Sequence, residues 1–531
     1  MKNILLTALF LGLAITLSGQ EYGNHSQITR RAQALKDRYP DKVQLKSVAK
    51  TIGGKDIWVL TLGKGEVARH PAIAIIGGVD GRHLLGVEAA IGVAEKLLAQ
   101  PDIDDILTKN TYYIFPNVQP DATEQFFAPL KYERTLNARA TDNDRDGTMG
   151  EDPYEDLNND KMITKVRVLS PKGTHIESKV NPDILVVADP AKGEVGKYLV
   201  ISEGIDNDKD GLFNEDGEGG VSFNKNFTFM YQYFKPESGE WAVSEIETRA
   251  VADFLYDAFN IHSVISFGLH NNLSKASKAF TTTPSGTGTE NVADTKIYSL
   301  ASSIYNKYVP EIANTSALPA EGGEFYTWVY QHYGRYSFAT PTWWPVSQNK
   351  DSADNPELIY MDWAKANNIS DSFIPWSPVN HPDFPEGGAE VGGLKPYVMY
   401  NPPYSMVSKI TDEHTSFVKE LTKAAPQISI EEFKKESLDK GISRITLTIR
   451  NNGVIPTLNQ IGERSYFLKY ITIQLKTASG QSLIQGNMKV THPTLDGGES
   501  AEFTWLVKGS GKLGVEAGTP TAGYKNSEIT L

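Results

Sequence analysis

The 531-residue chain contains no cysteine, so it has no disulfides and no lipid-bearing cysteine of the kind that anchors bacterial lipoproteins. After its first twenty residues it also lacks any apolar run approaching the ~20 residues needed to cross a bilayer. Nor is positive charge in excess. Lys and Arg number 52 against 65 Asp and Glu, a formal net charge of -13, which argues against nucleic acid or an anionic membrane surface as the main partner. A chain with these absences relies on core burial and on bound ions. Its 40% hydrophobic and 22% charged residues are ordinary globular material, and its length implies two or three domains.

Residues 1–20 read as a secretory signal peptide: Lys2 is the positive start, Leu5 to Leu17 the apolar stretch, and Ser18-Gly19 the small residues before Gln20. That stretch is too short to span a bilayer comfortably. The expected location is therefore periplasmic or extracellular, with no transmembrane segment in the mature chain.

Periodicity predicts an α/β domain over 21–425. Ser26 is expected to cap a helix over Gln27 to Tyr39, with Ile28, Ala32, Leu35 and Tyr39 on one face and Pro40 as its stop. Val43 to Lys50 and Ile57 to Leu62 flank Gly53-Gly54 as a hairpin. Pro71 to Ile76, Tyr112 to Phe115 and Ser263 to Phe267 read as further strands, and Leu84 to Leu98 as a helix. Ser244-x-x-Glu247 is a predicted capping box for a helix through Phe259. Strands alternating with helices imply a mixed sheet whose ligands gather at the carboxyl ends of strands. From 426 to 531 the pattern changes to alternation, with Ile445, Leu447 and Ile449, then Ile471, Ile473 and Leu475, then Phe503, Trp505 and Val507. This segment reads as a β-sandwich.

Two strand ends carry candidate metal ligands. Gly77-Gly78-Val79-Asp80-Gly81-Arg82-His83 follows the first and Gly268-Leu269-His270 the second. Asp80, His83 and His270 would supply one carboxylate and two imidazoles, the donor set of many hydrolytic zinc centres with a fourth position for water. The alternative is a turn aspartate beside packed or solvated histidines. A second pattern is repeated: Asp142-x-Asp144-x-Asp146-Gly147 with Glu151-Asp152 downstream, and Asp206-x-Asp208-x-Asp210-Gly211 with Glu215-Asp216 downstream. Alternating aspartates around a glycine turn are suited to a hard cation such as calcium. Flanks rich in Gly and Pro do not read as EF-hand helices, and the alternative is a solvated acidic loop.

In order along the chain, Ile73 to His83, Phe115-Pro-Asn-Val-Gln119-Pro120-Asp121, Arg134, Gly220 to Phe227 and Leu269-His270 resemble the secreted zinc carboxypeptidases, the carboxypeptidase A-like exopeptidases, from about Ser26 to Pro403. The resemblance implies a mixed sheet flanked by helices, a zinc ion and a peptide substrate. In that family a His-x-x-Glu pair and a later histidine hold zinc; here Asp80 stands at the histidine position and His83 at the glutamate position, while His270 matches. By position Arg134 resembles the carbonyl-polarising arginine. Asn224-Lys225 resembles the family's Asn-Arg pair, with lysine losing the planar fork that grips a carboxylate. At the place of the glutamate that activates water stands Pro341, which accepts no proton. Glu390, in Gly388-Ala389-Glu390-Val391-Gly392-Gly393, is the candidate substitute, which would make 342–389 an insertion.

Three functions follow. The first is an exported zinc carboxypeptidase releasing a C-terminal residue from a peptide or a peptidoglycan stem, with Arg134 and Glu390 catalytic and Asn224 and Lys225 binding substrate. The second is a non-catalytic relative that binds peptides or cell-wall fragments in the retained cleft. The third is a calcium-ordered surface protein, which leaves the cationic residues unexplained.

Overall fold

The computed structural model describes residues 21–142, 147–214, 217, 219–276, 291–312, 321–353 and 355–531. The expected signal peptide, Asp144, Asp146, Glu215 and Asp216 lie outside them. No helix among the described residues is long and apolar enough to cross a membrane.

The chain opens with helix α1 (His25–Arg38), followed by strands β1 (Val43–Lys50), β2 (Asp56–Leu62) and β3 (Ala72–Ile76). Helix α2 (Leu84–Leu98) and strand β4 (Thr111–Phe115) come next. Helix α3 (Ile246–Asp257), β5 (Ile261–Phe267), α4 (Thr295–Tyr308), α5 (Phe325–Gln331), β6 (Tyr336–Thr340) and α6 (Val407–Lys423) complete the frame. The six strands form one mixed sheet in the order β1-β2-β4-β3-β5-β6. β1, β2 and β4 pair antiparallel, whereas β3 runs parallel to both β4 and β5, and β5 to β6. The expected α/β fold is present.

Every residue of β3 is buried, as a central parallel strand covered on both faces requires. One face packs Ile73 and Ile75 with Ile91 and Leu97 of α2 and Phe417 of α6. The other packs Ala74 and Ile76 with Val251 and Leu255 of α3 and Phe325 and Trp328 of α5. Because both faces are filled, chemistry is confined to the strand ends.

Two helix starts differ from expectation. Asn24, not Ser26, caps α1: its side chain accepts from the Gln27 N–H at 2.9 Å while the Gln27 side chain accepts from the Asn24 N–H at 2.8 Å, a reciprocal pairing that satisfies both ends. The Ser244–Glu247 box does not form. Ser244 donates to the Glu245 carboxylate at 2.7 Å, and the Glu247 carboxylate accepts from Asn137 at 3.3 Å, so α3 begins behind Glu245 without a side-chain cap.

A second six-stranded sheet, unforeseen in the sequence, joins Phe373–Pro378, Ala389–Leu394, Lys165–Leu169, Tyr198–Ser202, His175–Glu177 and Leu185–Val187 in that order. Beyond α6, two four-stranded antiparallel sheets between Ile428 and Thr530 form the expected sandwich, closed on Ile445, Leu447, Ile473, Leu475, Trp505 and Val515. The sandwich is not a free appendage. Ile455 is sealed into the core of the α/β unit, and buried Asp294 ahead of α4 accepts from Tyr330 at 2.7 Å, Tyr336 at 3.1 Å and the Gln460 N–H at 3.0 Å.

Candidate functional site

The turn after β3 and the turn after β5 open at the same end of the sheet. Gly78, at φ +71, makes the first turn, and the His83 N–H closes it on the Asp80 carbonyl at 3.1 Å. The second is fastened to β6 by Asn272: its backbone N–H donates to the Ala339 carbonyl at 3.1 Å, and its side chain accepts from the Ala339 N–H at 2.8 Å and donates to the Ser337 carbonyl at 2.9 Å. His270 is thereby held over the cleft, its ring 4.8 Å from that of Tyr326.

A cleft of about 350 Å³ lies between these turns, lined by Asp80, Arg82, Thr135, Ser222, Asn224, Lys225, Glu237, His270, Glu321 and Glu324. Four residues expected at the site, Asp80, Asn224, Lys225 and His270, are brought together. Lys225 pairs with Glu237 at 2.8 Å, and the Asn224 side chain accepts from the Phe325 N–H at 3.0 Å, holding the start of α5. Glu324 is buried, its carboxylate accepting from the Gly322 N–H at 2.8 Å.

The other expected residues stand elsewhere. His83 is fully buried at the start of α2 and does not line the cleft. Its Nε2 is 3.4 Å from Thr342 Oγ1, and the ring lies against the backbone of Phe267 and Pro341. The ring occupies a space that glycine leaves: a Cβ on Gly86 would lie 2.7 Å from Nδ1. Burial lowers the imidazole to about 4, against a weaker upward pull from Asp80, so it is neutral near pH 7. Asp80 is engaged by its own neighbour. Arg82 donates through Nε at 3.1 Å to one carboxylate oxygen and through Nη2 at 2.9 Å to the other, and its N–H adds a bond at 2.9 Å. Burial raises the carboxyl, but the guanidinium outweighs it and holds Asp80 below the usual carboxylate range. The guanidinium itself lies over the Tyr400 ring at 4.9 Å.

The structure does not bring the three donor atoms of Asp80, His83 and His270 within 4.8 Å of one another. Among the described residues only Asp206, Asp208 and Asp210 bring three such donor atoms within 4.8 Å of one another. The donors present do not fit a zinc ion shared by all three: one imidazole faces the core, and the carboxylate already bonds a cation. Glu390 is also placed away from the cleft. It sits opposite Arg167 in the second sheet and pairs with it at 2.7 Å. Arg134 lines a neighbouring chamber, and its guanidinium donates to the carbonyls of Leu136 and Asn137 at 2.9 and 2.7 Å. Arg82, Glu237 and Glu324 were missed by sequence reasoning. Only Arg82 carried a signal, as a cation two residues from Asp80 in the same turn.

In the second acidic loop, Asp206 accepts from the N–H groups of Lys209 at 2.7 Å and Gly211 at 3.1 Å, and Asp152, fully buried, accepts from the Asn207 N–H at 2.8 Å. Asp142 accepts from the Gly147 N–H at 3.0 Å.

Residues 28–369 match the family model described as zinc carboxypeptidase, and the chain belongs to that family. Residues 427–530 match a model described as a domain of unknown function. Carboxypeptidase B of Astacus astacus is 27% identical over 101 residues, covering 19% of this chain and 33% of that protein, so the match spans about a third of the relative's length. Among solved structures, bovine thrombin-activatable fibrinolysis inhibitor in complex with tick carboxypeptidase inhibitor is 14% identical, with a TM-score of 0.42, covering 76% of this chain and 96% of that one. A metallo-carboxypeptidase from Burkholderia cenocepacia is 12% identical, with a TM-score of 0.33, covering 59% and 58%.

Proposed function

We propose that this chain is an exported, non-catalytic member of the zinc carboxypeptidase family that binds peptides, including peptidoglycan stem peptides, in its retained cleft. The observation that carries this reading is the Asp80–Arg82 pair: a guanidinium engages both oxygens of the one carboxylate expected to bind metal, while His83 is turned into the core. Further support comes from Pro341 at the place of the water-activating glutamate and from Glu390 pairing with Arg167 in another sheet. The cleft holds two cations, Arg82 paired with Asp80 and Lys225 paired with Glu237; in this reading an acidic ligand end takes the place of one of those carboxylates, through the stronger hydrogen bonds that charged donors make.

The test is zinc stoichiometry of the purified protein, release of C-terminal residues from mixed peptides with and without chelator, and calorimetric peptide binding. Peptide binding without stoichiometric zinc or residue release is expected. Chelator-sensitive release would overturn the reading in favour of an active zinc carboxypeptidase.

The acidic loops have a separate role in this proposal. Asp206, Asp208 and Asp210, whose donor atoms converge, would hold a calcium ion that offsets their mutual repulsion. Calcium should then raise the melting temperature of the protein, and Asp206→Asn with Asp208→Asn should remove that rise. An unchanged calcium response in the double variant would defeat the assignment.

A further inference from the structure

At the opposite end of the main sheet from the cleft, the α/β unit and the sandwich enclose a cavity of about 600 Å³. Pro71 and Asn110, which line it, stand just ahead of the parallel strands β3 and β4, whereas the cleft lies beyond the carboxyl ends of β3 and β5. The sandwich supplies Gln427 and the start of its last strand, Gly523–Thr530. Buried Pro71, Ala425, Pro426 and Ala522 give the cavity an apolar part.

The charge of this cavity is opposite to that of the molecule. Arg69, Lys109, Lys419, Lys423 and Lys525 line it against Glu66, Asp102 and Asp105, in a chain whose formal charge is -13. Three of these cations have carboxylate partners: Arg69 has Glu66 at 3.2 Å and Glu516 at 3.3 Å, Lys419 has Asp102 at 2.8 Å, and Lys423 has Glu420 at 2.7 Å. Lys109 and Lys525 make no ion pair among the described residues. A cation at a helix end serves the carbonyls there, a role open to Lys109 behind the helix Ile103–Leu107; Lys525 lies on a strand and has no such role. Its charge is felt across the seam: burial lowers the His70 imidazole, Glu66 opposes, and Lys525 lowers it further. Arg69 crosses the same seam, its guanidinium 3.9 Å from the centre of the Tyr524 ring. Unpaired cations from both units around one partly apolar space suit an anion with a carbon body.

We propose that this cavity binds a small organic anion with two acidic groups, carboxylate or phosphate, one paired with Lys109 of the α/β unit and the other with Lys525 of the sandwich. The sandwich then supplies half of a binding site, and an occupied site fastens it to the α/β unit. The proposal stands on this cavity and is independent of the peptide-binding reading of the cleft.

Glucarate and fructose 1,6-bisphosphate, which carry two carboxylates and two phosphates respectively, are the probes, titrated calorimetrically into the full chain. At least one should bind, more weakly as sodium chloride is raised, and the tighter of the two identifies the acidic group. Lys109→Gln with Lys525→Gln, both at exposed positions, should weaken that binding about 10-fold or more, the scale of losing charge-assisted hydrogen bonds. Lys365→Gln with Lys508→Gln removes the same charge at exposed positions outside the cavity and should leave the affinity unchanged. No binding of either probe, equal binding by the parent and the Lys109 and Lys525 variant, or an equal loss in both double variants would overturn the proposal.

Discussion

At the scale of single residues the cleft depends on which partner each charged group has found. Asp80 and Arg82 are both largely removed from water, with side-chain exposures of 12% and 25%, and removing one member of such a pair strands the other. Arg82→Ala is expected to lose about 3 kcal/mol in urea unfolding at pH 7. Because the Asp80 pKa is lowered in the folded state, the pair stabilises above the unfolded carboxyl value of about 3.9. That contribution is lost as pH falls through the lower folded value, and the variant should show a shallower loss in acid. His83 has the same sign for a different reason. Its folded pKa lies at about 4, below the ordinary imidazole value of 6.5, so its neutral form stabilises the protein above pH 6.5, and that stability is lost as pH falls from 6.5 to 4. The shift corresponds to roughly 3 kcal/mol, and His83→Gln should remove about that much of the stability lost between pH 7 and pH 4 in a pH series of unfolding curves. An identical slope in the variant would show the ring to be solvated. The sequence disclosed both residues and their strand end. It could not disclose which way His83 points, because that depends on the space left by Gly86, which lies in the next helix.

At the scale of elements, what was legible followed from local period. The all-apolar run of β3, the helix Leu84–Leu98 and the alternating strands of the sandwich were each read from neighbouring residues. The second sheet was not legible, since it pairs Lys165–Leu169 with Ala389–Leu394, and no local pattern carries a pairing between residues so far apart. This is also why Glu390 looked like a cleft residue: beside glycines on a strand, an acid reads alike whether it faces a ligand or an arginine. Glu390→Gln is expected to cost no more than about 1 kcal/mol, as a partly exposed pair does, and to leave peptide affinity unchanged in calorimetry. A loss of affinity would return Glu390 to the site.

At the scale of the whole molecule, Asp294 ties the α/β unit to the sandwich. Asp294→Ala would leave the Tyr330 and Tyr336 hydroxyls and the Gln460 N–H without their acceptor, at roughly 3 kcal/mol. Calorimetric unfolding should give one transition for the parent and two for the variant. A single unshifted transition would mean that the clamp contributes nothing to cooperativity. Burial raises the Asp294 carboxyl despite the hydroxyls that lower it, so the folded protein tolerates protonation there, and the two units should remain coupled in mild acid.

The position of Ile455 has a practical result. A side chain that belongs by sequence to the sandwich fills a hole in the neighbouring unit's interior, so the cleft-bearing portion ends, physically, about thirty residues beyond α6. A fragment trimmed at the apparent boundary would carry an open greasy socket and tend to clump. The two portions must be produced, purified and inherited as one object.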